Sequence, residues 1–168
     1  MPVFYLDTSA LAKRYVQEKG SEVVDELFDR LQDTDFLTIS LLAVVELKSV
    51  FKRLVKGRLL RETQMAMLLS EFSSDQTVIS EVVEVDTQLL EAAALILDRH
   101  SLKAGDAIHL ACILRLKGMA PAADVIVFTS DGELSAACMV EGLEVLNPED
   151  DNALDRLHHI RSVAPQCG

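Results

Sequence analysis

The feature that most constrains the fold is a short apolar run, residues 3–6, that stops at Asp7. An apolar run of this length next to turn-forming residues is typical of a buried strand. Two hydroxyl residues, Thr8 and Ser9, follow directly, and helix-compatible residues come after them. In an open α/β sheet, ligands bind just outside the carboxyl ends of the strands. The sequence therefore predicts that Asp7 lies at the edge of the sheet where a ligand would bind.

Segments with strand character recur along the chain and alternate with helical periodicity. The later strand candidates are residues 36–39, 78–85, 125–128 and 143–146. Alternating strands and helices favour right-handed crossovers and a parallel sheet with helices on both faces. We therefore expect an α/β fold with a central parallel sheet of about five strands, flanked by helices and carrying a helical hairpin at about residues 41–73.

The predicted elements fill residues 1–148, which we interpret as one domain. A chain of 168 residues is long enough to bury a sizeable core in a single domain. Residues 149–168 are acidic and then mixed, without a strong apolar stripe. We predict that they form a C-terminal tail, which is either loose or docked as a helix.

Composition limits the classes of partner and compartment. The net charge of −11 argues against a broad polybasic surface, and the 5% aromatic content without Trp argues against stacking of bases as the main contact. The three cysteines, Cys112, Cys138 and Cys167, lack metal-binding spacing and indicate free thiols in a reducing compartment. No apolar stretch approaches the ~18 residues of a membrane span. We therefore expect a cytoplasmic protein without membrane contact.

Three further acids lie in unusually apolar surroundings. Glu46 interrupts an apolar helix, Asp106 opens the most apolar helix, and Asp131 follows a buried strand as Asp7 does. Each acid taken alone has another interpretation: a helix cap for Asp7, a solvent-facing position for Glu46, and a first-turn acid for Asp106. Ser130 is predicted to cap the helix after it, which leaves Asp131 free for another role. The recurrence of such acids favours a shared site.

The chemistry of a shared carboxylate site follows from its ligand atoms. A carboxylate in apolar surroundings is costly unless it is paired or bound to a cation. Hard cations such as Mg²⁺ and Mn²⁺ prefer oxygen ligands, and carboxylate clusters that hold them support hydrolysis of phosphodiester bonds. No glycine-rich phosphate loop, nucleophile elbow or zinc-protease motif competes in the sequence. The acids therefore indicate a metal-dependent hydrolase.

The chain resembles a known family in four short segments and in a stretch that follows them. The segments are residues 6–11, 46–47, 105–111 and 129–131, and the following stretch is residues 142–148. They resemble the PIN-domain nucleases, and among these the VapC-type toxins of toxin–antitoxin pairs. The resemblance implies an endoribonuclease dependent on Mg²⁺ or Mn²⁺. It implies an acidic quartet that is both catalytic and metal-binding: Asp7, Glu46, Asp106 and Asp131. It also implies a homodimer and a cognate antitoxin whose C-terminal segment blocks the active-site groove.

Basic residues are concentrated between residues 48 and 61, where six of them occur without an acid. Arg53 comes seven residues after Glu46, so it falls on nearly the same helix face. We predict that Arg53, supported by Lys13 and Arg14, contacts RNA phosphates. The alternative is a solvated helix end that the helix dipole favours.

Four polar residues lie near the predicted acids in the sequence. Thr8, Ser9 and Thr129 are predicted to orient the carboxylates without binding the metal themselves. His109 follows Asp106 by three residues in an apolar helix. We interpret His109 as a packed residue with local hydrogen bonds, because Mg²⁺ prefers oxygen ligands.

Two other function classes remain as alternatives. A PIN-like module that binds RNA or protein without cleavage is the first, although acids at all four positions argue against it. A receiver-type phospho-acceptor domain is the second. It would need an adjacent acidic pair near the first strand and a lone lysine after the last strand, and the sequence has neither.

Overall fold

The fold is built on one parallel sheet. The computed structural model describes residues 1–163, and within that range it contains five strands and eight helices. The strands are β1 (Pro2–Leu6), β2 (Phe36–Ser40), β3 (Glu81–Val83), β4 (Asp124–Phe128) and β5 (Glu144–Leu146). They are all parallel, in the order β3-β2-β1-β4-β5. The predicted α/β class and five-stranded parallel sheet are confirmed.

The strand order creates a switch point beside β1. The chain runs outward from β1 to β2 and β3 on one side, then returns to β4 and β5 on the other. Connections after β1 and β4 therefore leave the sheet toward opposite faces, which opens a crevice at the carboxyl ends of these strands. Asp7 directly follows β1, and residues 129–131 directly follow β4. The topology thus places both segments at the crevice.

The helices cover both faces of the sheet. They are α1 (Thr8–Ala12), α2 (Ser21–Asp29), α3 (Leu41–Lys56), α4 (Glu62–Asp75), α5 (Thr87–Leu97), α6 (Ala104–Met119), α7 (Gly132–Val140) and α8 (Ala153–Val163). Ser40 caps α3, because its Oγ accepts a hydrogen bond of 3.0 Å from the Ala43 N–H, and Gly57 ends this helix. Helices α3 and α4 form the predicted hairpin.

Strand β1 separates two hydrophobic layers, because alternate side chains of a strand point to opposite faces. Phe4 and Leu6 pack into the layer with α1, α2, α3, α4 and α8. Tyr5 packs into the layer with α5, α6 and α7. Cys112 and Cys138 are buried, free thiols in this second layer, and Cys167 lies outside the described residues.

Helix α8 resolves the two alternatives for the C-terminal segment over residues 153–163. Ala153 and Leu157 are fully buried in the first layer. Near the end of the helix, Arg161 forms a buried ion pair with Asp35, with Nη2 2.9 Å from Oδ2. This part of the segment is therefore a docked helix.

One predicted strand differs in length from the observed one. The strand expected over residues 78–85 is reduced to the edge strand β3, because only residues 81–83 pair with β2 in register. The residues before it continue the turns that end α4: the Val78 N–H donates to the Asp75 carbonyl at 3.0 Å. Among the described residues, no helix is long and apolar enough to cross a membrane.

Candidate active site

A cleft of about 720 Å³ opens at the carboxyl edge of the sheet, at the switch point beside β1. All four acids of the predicted quartet line this cleft, although they come from four separate parts of the chain: Asp7, Glu46, Asp106 and Asp131. The sheet topology brings the ends of β1 and β4 together, and α3 and α6 supply the other two acids. The convergence expected from the sequence is therefore present in the structure.

Asp7 is both a helix cap and a member of the cleft. Its side chain is buried, and its Oδ1 accepts hydrogen bonds from the Ala10 N–H at 2.9 Å and the Ser9 hydroxyl at 2.8 Å. Its Oδ2 accepts from the Thr129 hydroxyl at 2.7 Å. Burial raises the pKa of Asp7, and these hydrogen bonds only partly offset that rise. The two interpretations offered for Asp7 are thus compatible.

Asp131 is the N-cap of α7, and the prediction that Ser130 caps this helix is wrong. The Asp131 Oδ1 accepts from the Glu133 N–H at 2.9 Å and from the Leu134 N–H at 3.0 Å. The helix starts at Gly132, so the residue directly before it, and not Ser130, has the N-cap geometry. The Asp131 N–H also donates to the Thr129 hydroxyl at 3.0 Å. Thr129 therefore links Asp131 to Asp7.

Asp106 carries the clearest sign of a missing partner. Its Oδ2 is buried and has no hydrogen-bond partner among residues 1–163. Asp106, Asp131 and Glu133 each place one oxygen atom within 4.8 Å of the others. Burial raises the pKa of Asp106, and the nearby Asp131 raises it further. Glu133 was not predicted from the sequence as part of the site, although its position two residues after Asp131 could have indicated it.

Glu46 faces the cleft and not the outer side of α3. Its Oε2 accepts a hydrogen bond from the Thr8 hydroxyl and lies 3.0 Å from His109 Nε2. The hydrogen bond with His109 lowers the pKa of Glu46 against the effect of partial burial. A Cβ atom at Gly105 would lie 3.0 Å from Glu46 Oε1, so glycine permits this close approach of α6 to the carboxylate.

His109 is buried, as expected, but its hydrogen bonds are not local. Its Nδ1 lies 2.7 Å from the Tyr5 hydroxyl on β1, and its Nε2 faces Glu46 on α3. Tyr5 was not predicted from the sequence to belong to the site. The sequence signal for His109 was its position three residues after Asp106, which places both side chains on the same side of α6.

The three predicted RNA contacts have different surroundings. Arg53 lines the cleft, is exposed, and donates to the Ser49 hydroxyl at 3.0 Å. Lys13 also lines the cleft, but its Nζ is held by Glu149 at 2.7 Å and by Glu18 at 3.0 Å. These two ion pairs neutralise much of the charge of Lys13, so less of it is available to an RNA phosphate.

Arg14 has a structural role instead of the predicted RNA contact. Its guanidinium pairs with three carboxylates on α2 and α4, at 2.8–3.2 Å: Asp25, Asp29 and Asp75. It also lies over the Phe28 ring, 5.1 Å from its centroid. Arg14 is not among the residues that line the cleft. We therefore leave Arg14 out of the candidate RNA surface.

The cleft has an excess of negative charge. Six carboxylates line it: Asp7, Glu18, Glu46, Asp106, Asp131 and Glu149. Three cationic side chains oppose them: Lys13, Arg53 and Lys103. Such a lining attracts cations and repels a phosphate unless a cation neutralises part of the charge. The oxygen-rich donor set and the unpartnered oxygen of Asp106 fit a hard divalent cation.

Comparison with protein families decides what kind of domain carries this cleft. The model of the PIN domain matches residues 4–140, which run from within β1 to the end of α7. The chain belongs to the PIN domain family. The match includes all four acids, whereas Glu149 and α8 lie beyond it.

Known proteins similar to this PIN domain are consistent with its fold. Ribonuclease VapC45 of Mycobacterium tuberculosis is 28% identical over 114 residues, which are 68% of this chain and 76% of the relative. The structure of VapC20 from the same species, a toxin that cleaves the sarcin–ricin loop, has a TM-score of 0.59 at 22% identity, over 80% of this chain and 94% of that one. A toxin–antitoxin complex from Klebsiella pneumoniae has a TM-score of 0.50 at 17% identity, over 86% and 96% of the two chains.

Proposed function

We propose that this PIN domain is an endoribonuclease that hydrolyses RNA phosphodiester bonds with Mg²⁺ or Mn²⁺, as the toxin of a toxin–antitoxin pair. The observation that carries the proposal is the buried Asp106 oxygen without a partner, beside Asp131 and Glu133 in an acidic cleft. The ribonuclease relative VapC45 supports the reaction class. Residues 1–148 would form the nuclease domain.

The proposed metal ligands are the four acids of the quartet, Asp7, Glu46, Asp106 and Asp131. A bound divalent cation lowers the pKa of a coordinated water and stabilises charge on phosphate oxygens. The protein's own contribution is orientation. Ser9 and Thr129 hold Asp7, and Thr8 holds Glu46, by the hydrogen bonds described above. Fixed carboxylates limit the reorganisation that the reaction would otherwise require.

Metal-dependent cleavage is the first test of this function. The purified chain should cleave structured RNAs when Mn²⁺ or Mg²⁺ is added, because the acidic cleft otherwise repels the phosphate backbone. Exhaustive chelation should abolish cleavage, and re-addition of the metal should restore it. Full activity after chelation would contradict the proposal. RNA binding without cleavage in saturating Mn²⁺ would instead assign a catalytically silent binding module.

Arg53 is the proposed contact for an RNA phosphate at the rim of the cleft. Arg53→Glu should weaken RNA binding and reduce the slope of log affinity against log salt by about 0.7 for each lost single-strand contact. Lys56→Glu is the matched control, because Lys56 is exposed on the same helix and does not line the cleft. Filter binding at several salt concentrations measures both slopes. Equal slopes for the two variants would make Arg53 an ordinary solvated side chain.

We also propose a homodimer and a cognate antitoxin as partners, and a cytoplasmic location, where the RNA substrate is found. The acidic cleft and the exposed Val45 beside Glu46 support the antitoxin, since a segment with basic and apolar residues would complement them.

The exposed Leu59 and Met67 of the α3–α4 hairpin support a dimer. Light scattering at micromolar concentration should give the dimer mass, and a monodisperse monomer would exclude it.

A further inference from the structure

We infer that His109 is a positioning residue, which is anchored by Tyr5 and holds the Glu46 carboxylate in the cleft through an Nε2–H hydrogen bond. The inference rests on the proposed function, because it assigns His109 a task in the same site. It concerns a residue that lines the cleft but is not part of the oxygen cluster of Asp106, Asp131 and Glu133.

The proton position follows from the partners of the ring. An ionised carboxylate only accepts hydrogen bonds, so the 3.0 Å contact between His109 Nε2 and Glu46 Oε2 requires a proton on Nε2. The Thr8 hydroxyl donates to the same Oε2. Either charge state of the ring can present Nε2–H to Glu46, so the assignment does not depend on whether His109 is charged. Two donors on one oxygen fix the rotation of the carboxylate.

Tyr5 fixes the other end of the ring. Its hydroxyl lies 2.7 Å from His109 Nδ1, and its side chain is completely buried on the central strand β1. The two rings meet edge to face, with centroids 6.0 Å apart. Asp7 follows β1 directly. The contacts from Tyr5 through His109 therefore position Glu46, which lies on α3, relative to β1, the strand that also positions Asp7.

The same contacts argue against His109 as a metal ligand. Both ring nitrogens are engaged by protein groups, Tyr5 and Glu46, and a metal would need an available lone pair on one of them. The side chain lines the cleft but is only 2% exposed, so little of its surface is accessible to a ligand. The contact that connects it to the proposed metal ligands is the hydrogen bond with Glu46.

Two polar variants distinguish the roles of the two ring nitrogens of His109. In His109→Gln the amide nitrogen can occupy the place of Nε2 and still donate to Glu46. In His109→Asn the shorter side chain reaches only the place of Nδ1, so it keeps the contact with Tyr5 and loses the one with Glu46. Both variants lose the ring, and thermal melts without metal measure what that loss costs the fold.

We expect calorimetric titration with Mn²⁺ to show an affinity about 10–100-fold lower for His109→Asn, since partners that orient a ligand typically have effects of that size. His109→Gln should stay within about 3-fold of wild type. With RNA, kcat should fall in His109→Asn while KM stays constant, because His109 is buried and both of its ring nitrogens contact protein groups instead of the substrate. Equal losses in both variants, or a loss in neither, would overturn the inference.

A measurement on the unaltered chain tests the inference even if the variants fail to fold. Nitrogen-15 NMR of the full chain with labelled histidine should show a proton on Nε2 of His109 in the absence of metal. A ring protonated only on Nδ1 would overturn the inference. A wild-type chain that binds Mn²⁺ but cleaves no RNA would contradict the proposed function alone, because the titrations and the NMR spectrum still report on Glu46.

Discussion

Replacing Asp7 by Asn should lower RNA cleavage by at least about 100-fold, while the metal-free chain stays as stable as wild type or becomes more stable. Loss of a residue that merely orients a metal ligand typically lowers metal affinity or activity by about 10–100-fold. Loss of the ligand itself should therefore lower cleavage by more. Asn keeps an oxygen that can accept from the Ala10 N–H, and it is as good a cap as Asp. It removes one buried negative charge.

The pH dependence of this stability difference has a definite sign. Burial raises the pKa of Asp7 above its usual 3.8, so the folded chain holds its proton at pH values where the unfolded chain has released it. The ionised Asp7 therefore destabilises the fold increasingly as the pH rises through the window above 3.8, and fully above the raised pKa. Asp7→Asn should gain stability relative to wild type across that window, and the difference should vanish at lower pH.

Asp7→Ala is the control that separates capping from charge. It removes both the charge and the cap, so it should lose cleavage as Asp7→Asn does but also lose about 1 kcal/mol of stability relative to Asp7→Asn. Mn²⁺ at ~100 times its dissociation constant should stabilise wild type by about 2.7 kcal/mol, a melting shift of roughly 5–10 °C, and the shift should shrink in both variants. Cleavage that survives in Asp7→Asn would reduce Asp7 to a helix cap.

Replacing Arg161 by Met should lower the free energy of unfolding by about 3–5 kcal/mol, because it leaves the buried carboxylate of Asp35 without its counter-charge. The Asp35 side chain is completely buried, and its Oδ1 has no hydrogen-bond partner among residues 1–163. Arg161 Nη2 also donates to the Leu27 carbonyl at 3.1 Å, which ties α8 to α2. Urea unfolding should detect the loss, and the melting temperature should fall by roughly 6–20 °C.

A double variant tests whether the unpaired charge is the cause. Asp35→Leu combined with Arg161→Met should be more stable than Arg161→Met alone, since no buried carboxylate remains. Arg30→Met is the surface control: its ion pair with Glu26 is largely exposed on the arginine side, so its loss should cost at most about 1 kcal/mol. A double variant no more stable than Arg161→Met would assign the loss to packing of α8.

The sequence by itself determined the elements and the approximate place of the site. Apolar runs that alternate with helical stripes predicted the parallel sheet, because a strand that is buried on both faces has a nearly continuous apolar sequence. Asp7 and Asp131 were predictable at the sheet edge, since Asp7 directly follows β1 and Asp131 comes three residues after the end of β4. Their catalytic roles, and those of Glu46 and Asp106, stay predictions until activity is measured.

Only the tertiary structure decided which partner each polar side chain takes. Spacing placed Asp106 and His109 on one side of α6, but the partners of His109 come from β1 and α3, 104 and 63 residues away in the chain. Likewise, Arg14 is basic in the sequence, yet three carboxylates from α2 and α4 enclose it in the fold. Periodicity specifies which face of an element is buried, whereas hydrogen bonds and ion pairs depend on how elements distant in the chain approach each other.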